Sequence, residues 1–246
     1  MGYHESLTEG RNAVLEAFRS GKTVDRLFVL DGCQDGPVKT ILREAQKQDT
    51  MVQYVKKERL DQLSETKNHQ GVIAYCAACE YAEVSDILEN AKKKGEAPFI
   101  VLLDGIEDPH NLGAIIRTAN QAGAHGVIIP KRRAVGLTAT VARTSAGAVN
   151  YTPVAKVTNL VTVMEDLKKE GMWFVCADMD GEEMYSLNLK GPIGLVIGNE
   201  GEGVSRLVKE HCDMVASIPM KGDIDSLNAS VAMGVLAYEI VRQRRF

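Results

Sequence analysis

The 246-residue sequence has no long apolar run and no N-terminal targeting pattern. No stretch reaches the roughly 18 consecutive apolar residues that a transmembrane helix needs. The first ten residues also lack the basic stretch and apolar core of a secretory signal. Hydrophobic residues still make up 45% of the chain, which is enough for a sizeable core. The sequence therefore predicts a folded, soluble protein of the cytoplasm with no membrane partner.

Cysteine is scarce and unevenly placed, at positions 33, 76, 79, 176 and 212. An odd number of widely spaced cysteines does not suit a disulfide framework and fits a reducing compartment. Only Cys76 and Cys79 form a C-x-x-C pair, which can be half a zinc site, a redox pair or two free thiols. Because no second pair accompanies it, we interpret both as free thiols and expect no metal.

Two phosphate-binding glycine patterns are missing. The run from Gly198 to Gly203 is G-x-x-G-x-G and lies late in the chain, whereas a Rossmann site needs G-x-G-x-x-G after its first strand. No P-loop pattern occurs either. Since the net charge is −4, nucleic-acid binding would need a local basic surface. Basic residues that are either solvated or part of such a surface are Arg11, Lys92–Lys94, Lys131–Arg133, Arg143, Arg242, Arg244 and Arg245.

Apolar periodicity divides the chain into two α/β units, residues 1–78 and 98–246, joined by a charged linker over residues 79–97. In the first unit we predict helices over 10–20, 38–47 and 57–64 and strands over 26–30, 51–55 and 72–75. In the second unit we predict strands over 99–104, 127–130, 173–177, 194–197 and 214–218. These strands are continuously apolar, which is typical of a parallel sheet covered by helices on both faces.

An arginine-bearing helix follows the first strand of the second unit. We predict this helix over 112–122, after Asp108 and Pro109. Arg117 lies about 140° around it from the buried apolar stripe. Its guanidinium can bind a phosphate or carboxylate through two hydrogen bonds, or it can simply be solvated. Asn111 is either the N-cap of this helix or an amide that belongs to a site.

Two loops at strand ends in the last third predict a shared pocket, because ligands of parallel α/β sheets bind beyond the carboxyl ends of the strands. Glu200 is either a catalytic or orienting carboxylate or a glutamate at the start of a helix over 204–210. Ser226 and Asn228 can cap a helix over 228–243 or belong to the pocket. The stretches that would form this pocket are Gly198–Gly203, Ile218–Met220 and Ser226–Ser230.

These stretches together resemble the three motifs of the SpoU (TrmH) family of RNA ribose 2′-O-methyltransferases, within the SPOUT class. The motifs correspond to Asp108–Ala119, Ile197–Gly203 and Ile218–Met220 with Ser226–Ala232. Residues 3–78 resemble the ribosomal-protein-like substrate-binding domain found ahead of many members. The likeness points to the branch that methylates guanosine in 23S rRNA. A tRNA or other rRNA methyltransferase and a non-catalytic RNA-binding assembly factor are the alternatives.

The resemblance implies a parallel-sheet SPOUT domain with a C-terminal trefoil knot, S-adenosylmethionine as methyl donor, and RNA, not DNA, as partner. It also implies a homodimer in which the arginine faces the other subunit's cofactor. Since a guanidinium stays charged, we expect it to anchor phosphate and stabilise an alkoxide. Expected cofactor contacts are Gly198, Ile218, Met220, Leu227 and Asn228. Expected catalytic or orienting residues are Arg117, Asn111, Glu200, Ser226 and Asn228.

Overall fold

The computed structural model describes residues 6–33, 35–223 and 226–245. The chain forms two compact units: Met1–Glu80 with Gly136–Thr140, and Tyr81–Val135 with Val141–Phe246. None of the helices in the described ranges combines the length and apolarity that crossing a membrane demands.

The first unit is a four-stranded mixed sheet with the strand order β1-β4-β2-β3. Its elements are β1 (Ser6–Glu9), α1 (Arg11–Arg19), β2 (Val24–Leu30), α2 (Gly36–Lys47), β3 (Met51–Val55), α3 (Lys57–Leu63) and β4 (Val72–Cys76). The predicted helices and strands of this unit are confirmed. The short edge strand β1 was not predicted, because four residues give too short a pattern and its pairing partner β4 lies far along the chain.

The second unit is a six-stranded sheet in which every neighbouring pair is parallel, with the order β10-β8-β9-β5-β6-β7. Its strands are β5 (Phe99–Asp104), β6 (Gly126–Pro130), β7 (Val154–Val157), β8 (Trp173–Glu183), β9 (Ile193–Gly198) and β10 (Met214–Ser217). Its helices are α4 (Val84–Lys94), α5 (Pro109–Gln121), α6 (Ala139–Thr144), α7 (Leu160–Lys169), α8 (Arg206–Glu210) and α9 (Ala229–Arg245). The predicted parallel sheet is confirmed, and the trefoil knot stays a prediction.

Helix α4 lies within the range predicted as a linker and packs on the second sheet. Its Ile87 and Ala91 are buried, and Ile87 belongs to the core cluster that also contains Ile128 and Phe174. A Cβ at Gly126 would lie 2.5 Å from an Ile87 side-chain carbon, so glycine lets the helix approach β6. The periodic apolar residues of α4 thus anchor it to the second unit.

Strand β8 bulges at its carboxyl end. Its pairing with β10 passes from Cys176–Val215 directly to Glu182–Ala216, so residues 177–181 loop out of the ladder. A Cβ at Gly181 would lie 2.5 Å from the Val215 carbonyl oxygen, which shows how closely the two backbones approach where the strands rejoin. The bulge builds a wall beyond the carboxyl ends of the central strands.

Candidate active site

Helix α5 begins three residues before the predicted position. Asp108 is its N-cap, and its carboxylate accepts a hydrogen bond from the His110 backbone N–H at 2.9 Å. Pro109 occupies the first turn, where its missing N–H costs nothing. The interpretation of Asn111 as N-cap is therefore wrong. Asn111 lies inside the first turn and its side chain is buried.

The loop after β9 is a tight turn fastened to the end of β5. Asn199 and Gly203 exchange backbone hydrogen bonds of 3.1 and 2.8 Å, and the Asn199 side chain donates to the Gly105 carbonyl at 2.9 Å. A Cβ at Gly198 would lie 2.1 Å from the Gly203 carbonyl carbon, so only glycine fits there. The buried Asp104 carboxylate accepts from the Ser205 N–H at 2.8 Å and fixes the far end of the loop.

This loop presents Glu200 to two asparagines from distant segments. Glu200 Oε1 accepts hydrogen bonds from Asn111 Nδ2 at 3.0 Å, from Asn228 Nδ2, and from the Ala229 backbone N–H at 3.3 Å. Asn228 Nδ2 also donates to Asn111 Oδ1 at 2.9 Å. We call Asn111, Glu200 and Asn228 the amide–carboxylate cluster. Glu200 lies at the N-terminus of α9, where the helix dipole favours a negative charge, and not in α8.

Asn228 caps helix α9, one of the two alternatives that the sequence left open. Its Oδ1 accepts from the Ser230 backbone N–H at 3.0 Å and from the Ser230 hydroxyl at 2.5 Å, so it caps α9. Its Nδ2 donates into the amide–carboxylate cluster at the same time. The cap therefore fixes the rotamer that brings the amide to Glu200.

A cavity of about 670 Å³ lies beyond the carboxyl ends of β8, β9 and β10. The predicted residues that line it are Gly198, Glu200, Ile218, Met220, Ser226 and Leu227. The β8 bulge supplies Ala177, Asp178 and Met179. These residues were not predicted, because a bulge leaves no periodic signal in the sequence. Asn228, also predicted as a cofactor contact, is not among the described lining residues. Asn111 and Asn228 instead contact the lining residue Glu200.

The charged side chains in the described lining of this cavity are all acidic. Its described lining includes the carboxylates Asp178, Glu183, Glu200 and Glu202 and no lysine, arginine or histidine. Burial alone would raise the pKa of Asp178, but its hydrogen bonds, chiefly from Lys209 at 2.7 Å behind the wall, outweigh burial and lower that pKa. Asp178 is thus held in its ionised form, and the cavity favours a cation.

Arg117 lies outside this cavity, on the exposed face of α5 as predicted. Among the described residues its guanidinium makes no hydrogen bond or ion pair. A Cβ at Gly234 of α9 would lie 3.5 Å from Thr118, the residue after Arg117, so α5 and α9 pack closely here. The arginine is therefore available to a ligand or to a second chain.

Several basic residues that were candidates for an RNA surface make internal contacts instead. Arg11 forms an ion pair with Asp35 at 2.5 Å, and Arg242 forms one with Glu239 at 2.8 Å. Arg244 donates to the backbone carbonyls of residues 97, 98 and 191. Two further candidates of the second unit, Arg132 and Arg133, are exposed.

Known protein families match the N-terminal and the C-terminal regions of the chain separately. A sequence profile of the SpoU rRNA methylase family matches residues 98–238, and one of the RNA 2′-O ribose methyltransferase substrate-binding domain matches residues 7–82. YacO of Bacillus subtilis strain 168, assigned to the TrmH family of tRNA/rRNA methyltransferases, is 48% identical over 237 residues, which cover 96% of this chain and 94% of YacO.

Solved structures of similar proteins cover nearly the whole chain. The SpoU methyltransferase AviRb from Streptomyces viridochromogenes, in complex with AdoMet, has a TM-score of 0.61 at 27% identity, over 97% of this chain and 90% of AviRb. An AdoMet-bound rRNA methyltransferase from Sinorhizobium meliloti has a TM-score of 0.61 at 25% identity, over 97% and 87% of the two chains. The chain therefore belongs to the SpoU (TrmH) family of RNA methyltransferases.

Proposed function

We propose that this protein transfers a methyl group from S-adenosylmethionine to the ribose 2′-hydroxyl of a guanosine in 23S rRNA. The observation that carries the choice of methyl donor is the charge of the cavity. Four carboxylates and no cationic side chain line its described wall; Lys209 pairs with Asp178, but Glu183, Glu200 and Glu202 form no ion pair with a described residue. Such an environment repels nucleotide phosphates and attracts a sulfonium cation. The G-x-x-G-x-G loop thus serves a cationic ligand and not a phosphate.

The cavity also fits this cofactor in size and polarity. Its volume of about 670 Å³ lies within the range of small-molecule sites, roughly 300–1,000 Å³. Ile197, Ile218 and Leu227 offer apolar contact for an adenine ring, and backbone groups around Gly198 offer hydrogen bonds. Met220 and Ser226 would close the same wall. When bound, S-adenosylmethionine supplies an electrophilic methyl group.

The chain's own residues have separate roles in this proposal. Arg117 binds a phosphate of the RNA and stabilises the charge that develops on the ribose 2′-oxygen. Glu200 Oε1 accepts three hydrogen bonds, and two of them hold the side chains of Asn111 and Asn228 in place. A phosphate of the RNA, Glu200 Oε2 or water accepts the hydroxyl proton. Because the acceptor is the 2′-hydroxyl, RNA is required and DNA cannot replace it.

A homodimer is part of the same proposal. Val231, Val235 and Tyr238 lie along one face of α9, and both Val231 and Tyr238 are exposed. Such an apolar stripe on a helix suits a second copy of the chain. Arg117 lies outside its own chain's cavity, on the helix that packs against α9, and we propose that in the dimer it faces the cavity of the second copy.

The choice of 23S rRNA rests on full-length similarity. The S. meliloti rRNA methyltransferase matches across both units, and the substrate-binding profile covers the first. The alternative substrate is tRNA, since YacO is assigned to a family of tRNA/rRNA methyltransferases.

Two measurements test the proposal. Calorimetry with S-adenosylmethionine should show binding to the purified protein. Mapping of ribose methylation in RNA from cells lacking the protein should show one missing methyl group, on a guanosine of 23S rRNA. Loss of a tRNA methyl group would establish the alternative substrate. Absence of binding heat together with an unchanged methylation map would favour a non-catalytic RNA-binding factor.

A further inference from the structure

Tyr151 is the most exposed large hydrophobic or aromatic side chain among the described residues, at 80% relative exposure. It follows a short 3-10 turn over Ala148–Asn150. An exposed tyrosine loses the favourable burial of its ring. A tyrosine that no described residue covers is therefore a candidate for contact with another molecule.

The backbone around Tyr151 is firmly held. The N–H groups of Tyr151 and Thr152 both donate to the Ala148 carbonyl at 3.0 Å, and Ala148 and Thr152 are buried. Ala146 and Gly147 both adopt left-handed backbone conformations, with φ of 51° and 83°. A non-glycine residue in this region carries strain that the surrounding structure must offset. Tyr151 thus projects from a fixed backbone, which limits the entropy lost when a ligand binds.

The segment Val141–Thr152 runs beside the helix that carries Arg117. A Cβ at Gly113 would lie 2.6 Å from Thr144 Cβ, and Asn120 Nδ2 donates to Thr152 Oγ1 at 3.0 Å. Gly113 and Asn120 lie on either side of Arg117 along α5, about one turn away in each direction. Tyr151 is therefore held next to the helix turn from which the arginine projects.

The charge of this surface favours a polyanion. Pro109–Gln121 and Val141–Thr152 contain Arg117 and Arg143 but no aspartate or glutamate, although the whole chain has a net charge of −4. Arg117 is exposed and makes no hydrogen bond or ion pair with a described residue. The apolar stripe on α9 differs in character and suits a protein partner. An exposed aromatic ring on a segment that packs against the helix of Arg117 instead matches the surfaces on which unpaired bases stack.

We propose that Tyr151 is a stacking platform for an unpaired base of the RNA, next to the nucleotide that is methylated. This inference rests on the proposed function and extends it, because it assigns an RNA contact to the catalytic unit itself. It predicts that the substrate has an unpaired nucleotide beside its methylation site. Tyr151 is then an RNA-binding residue and not a catalytic one.

The test compares Tyr151→Ala, Tyr151→Phe and Tyr151→Trp in the full-length protein. Affinity is measured by fluorescence anisotropy with a labelled, unpaired oligoribonucleotide. Stacking on one base is worth about 1–3 kcal/mol, so Tyr151→Ala should raise Kd about 5- to 150-fold. Phe and Trp should stay within about threefold, because both retain an aromatic face. Tyr185→Ala is the matched control, since Tyr185 is 60% exposed but lies beside Glu182 and Glu183.

A kinetic measurement separates base stacking from a structural role. With methyl transfer to total RNA from cells lacking the protein, Tyr151→Ala should raise KM and leave kcat nearly unchanged, because stacking is present in both the ground state and the transition state. A Tyr151→Ala protein that binds S-adenosylmethionine but keeps wild-type RNA affinity would overturn the inference and leave the proposed function intact. Dissociation of a dimer without loss of RNA affinity would overturn it in favour of a subunit contact. A wild-type protein without cofactor binding or methyl transfer would instead refute the proposed function, while the Kd series still reports on Tyr151.

Discussion

Asn111 donates its side-chain amide to Glu200 at 3.0 Å and thereby joins the first turn of α5 to the loop after β9, 89 positions along the chain. Asn228 closes the cluster from the start of α9. Three segments that carry the family's sequence motifs are thus fastened to one carboxylate oxygen. Loss of that carboxylate should disturb positioning on all three segments together.

We predict that Glu200→Gln lowers kcat for methyl transfer about 100-fold, the scale expected for a group that takes part in proton transfer. The neutral amide keeps the shape of the side chain but weakens the charge-assisted hydrogen bonds from both asparagines. Steady-state methyl transfer measures kcat, and calorimetry should show S-adenosylmethionine binding that falls much less than kcat, because Asp178, Glu183 and Glu202 keep the cavity acidic. Glu107→Gln, at an exposed position just before α5, is the control. Equal kcat in the two variants would contradict the role given to Glu200.

Gly198→Ala should abolish cofactor binding. The added Cβ would lie 2.1 Å from the Gly203 carbonyl carbon, so the loop after β9 must open. Gly201→Ala is a close control, because its Cβ would meet the Asn199 side-chain oxygen at 3.5 Å, an ordinary contact. Thermal unfolding should show a lower Tm for Gly198→Ala only. If both variants bind S-adenosylmethionine like the wild type, the loop does not need glycine at position 198.

Arg117→Lys and Arg117→Ala should both lower kcat/KM, by about 100-fold or more, without lowering Tm. Lysine retains the charge but not the planar pair of donors that binds phosphate. Because Arg117 is exposed and makes no hydrogen bond or ion pair with a described residue, the fold does not depend on it. The exposed Arg206, on α8, provides an Arg206→Lys control. Near-wild-type turnover in Arg117→Lys would show that bidentate geometry is irrelevant.

The stability of the second unit should fall in mild acid because of His125. This side chain is fully buried, its Nδ1 accepts from the Phe99 backbone N–H at 2.9 Å, and its Nε2 pairs with Glu96 at 3.1 Å. Burial lowers its pKa below the ordinary 6.5. The unfolded chain then binds a proton that the folded chain does not. The free energy of unfolding should therefore decrease as the pH falls below about 6.5, by up to about 1.4 kcal/mol per unit of pKa difference.

Urea unfolding at pH 7.5 and 5.5, followed through Trp173, measures this effect, since Trp173 is the chain's one tryptophan and lies in the second unit. In His125→Gln the pH dependence should be shallower. His110→Gln, at an exposed histidine, should keep the wild-type slope. If the free energy of unfolding depends on pH equally in all three proteins, His125 is not the source of this dependence.

Much of the fold was predictable because its signals are local. The continuous apolar runs of β5 and β9 predict buried parallel strands, and Asp108-Pro109 marks a helix start that the prediction placed three residues late. Edge strands β1 and β7 were not predicted, since four residues each give too short a pattern. The β8 bulge was missed because it depends on the register with β10.

The sequence by itself determined the chemistry that is available: three motifs, a free-face arginine, and glycines where only glycine fits. Residue type and spacing suffice for these, because helix periodicity and steric limits act over a few residues. Only the tertiary structure decided which groups meet. Three features depend on contacts between distant segments: the hydrogen bonds from Asn111 and Asn228 to Glu200, the acidic lining of the cavity, and the exposure of Tyr151. Such contacts arise when strands align in one sheet, and no local pattern encodes them.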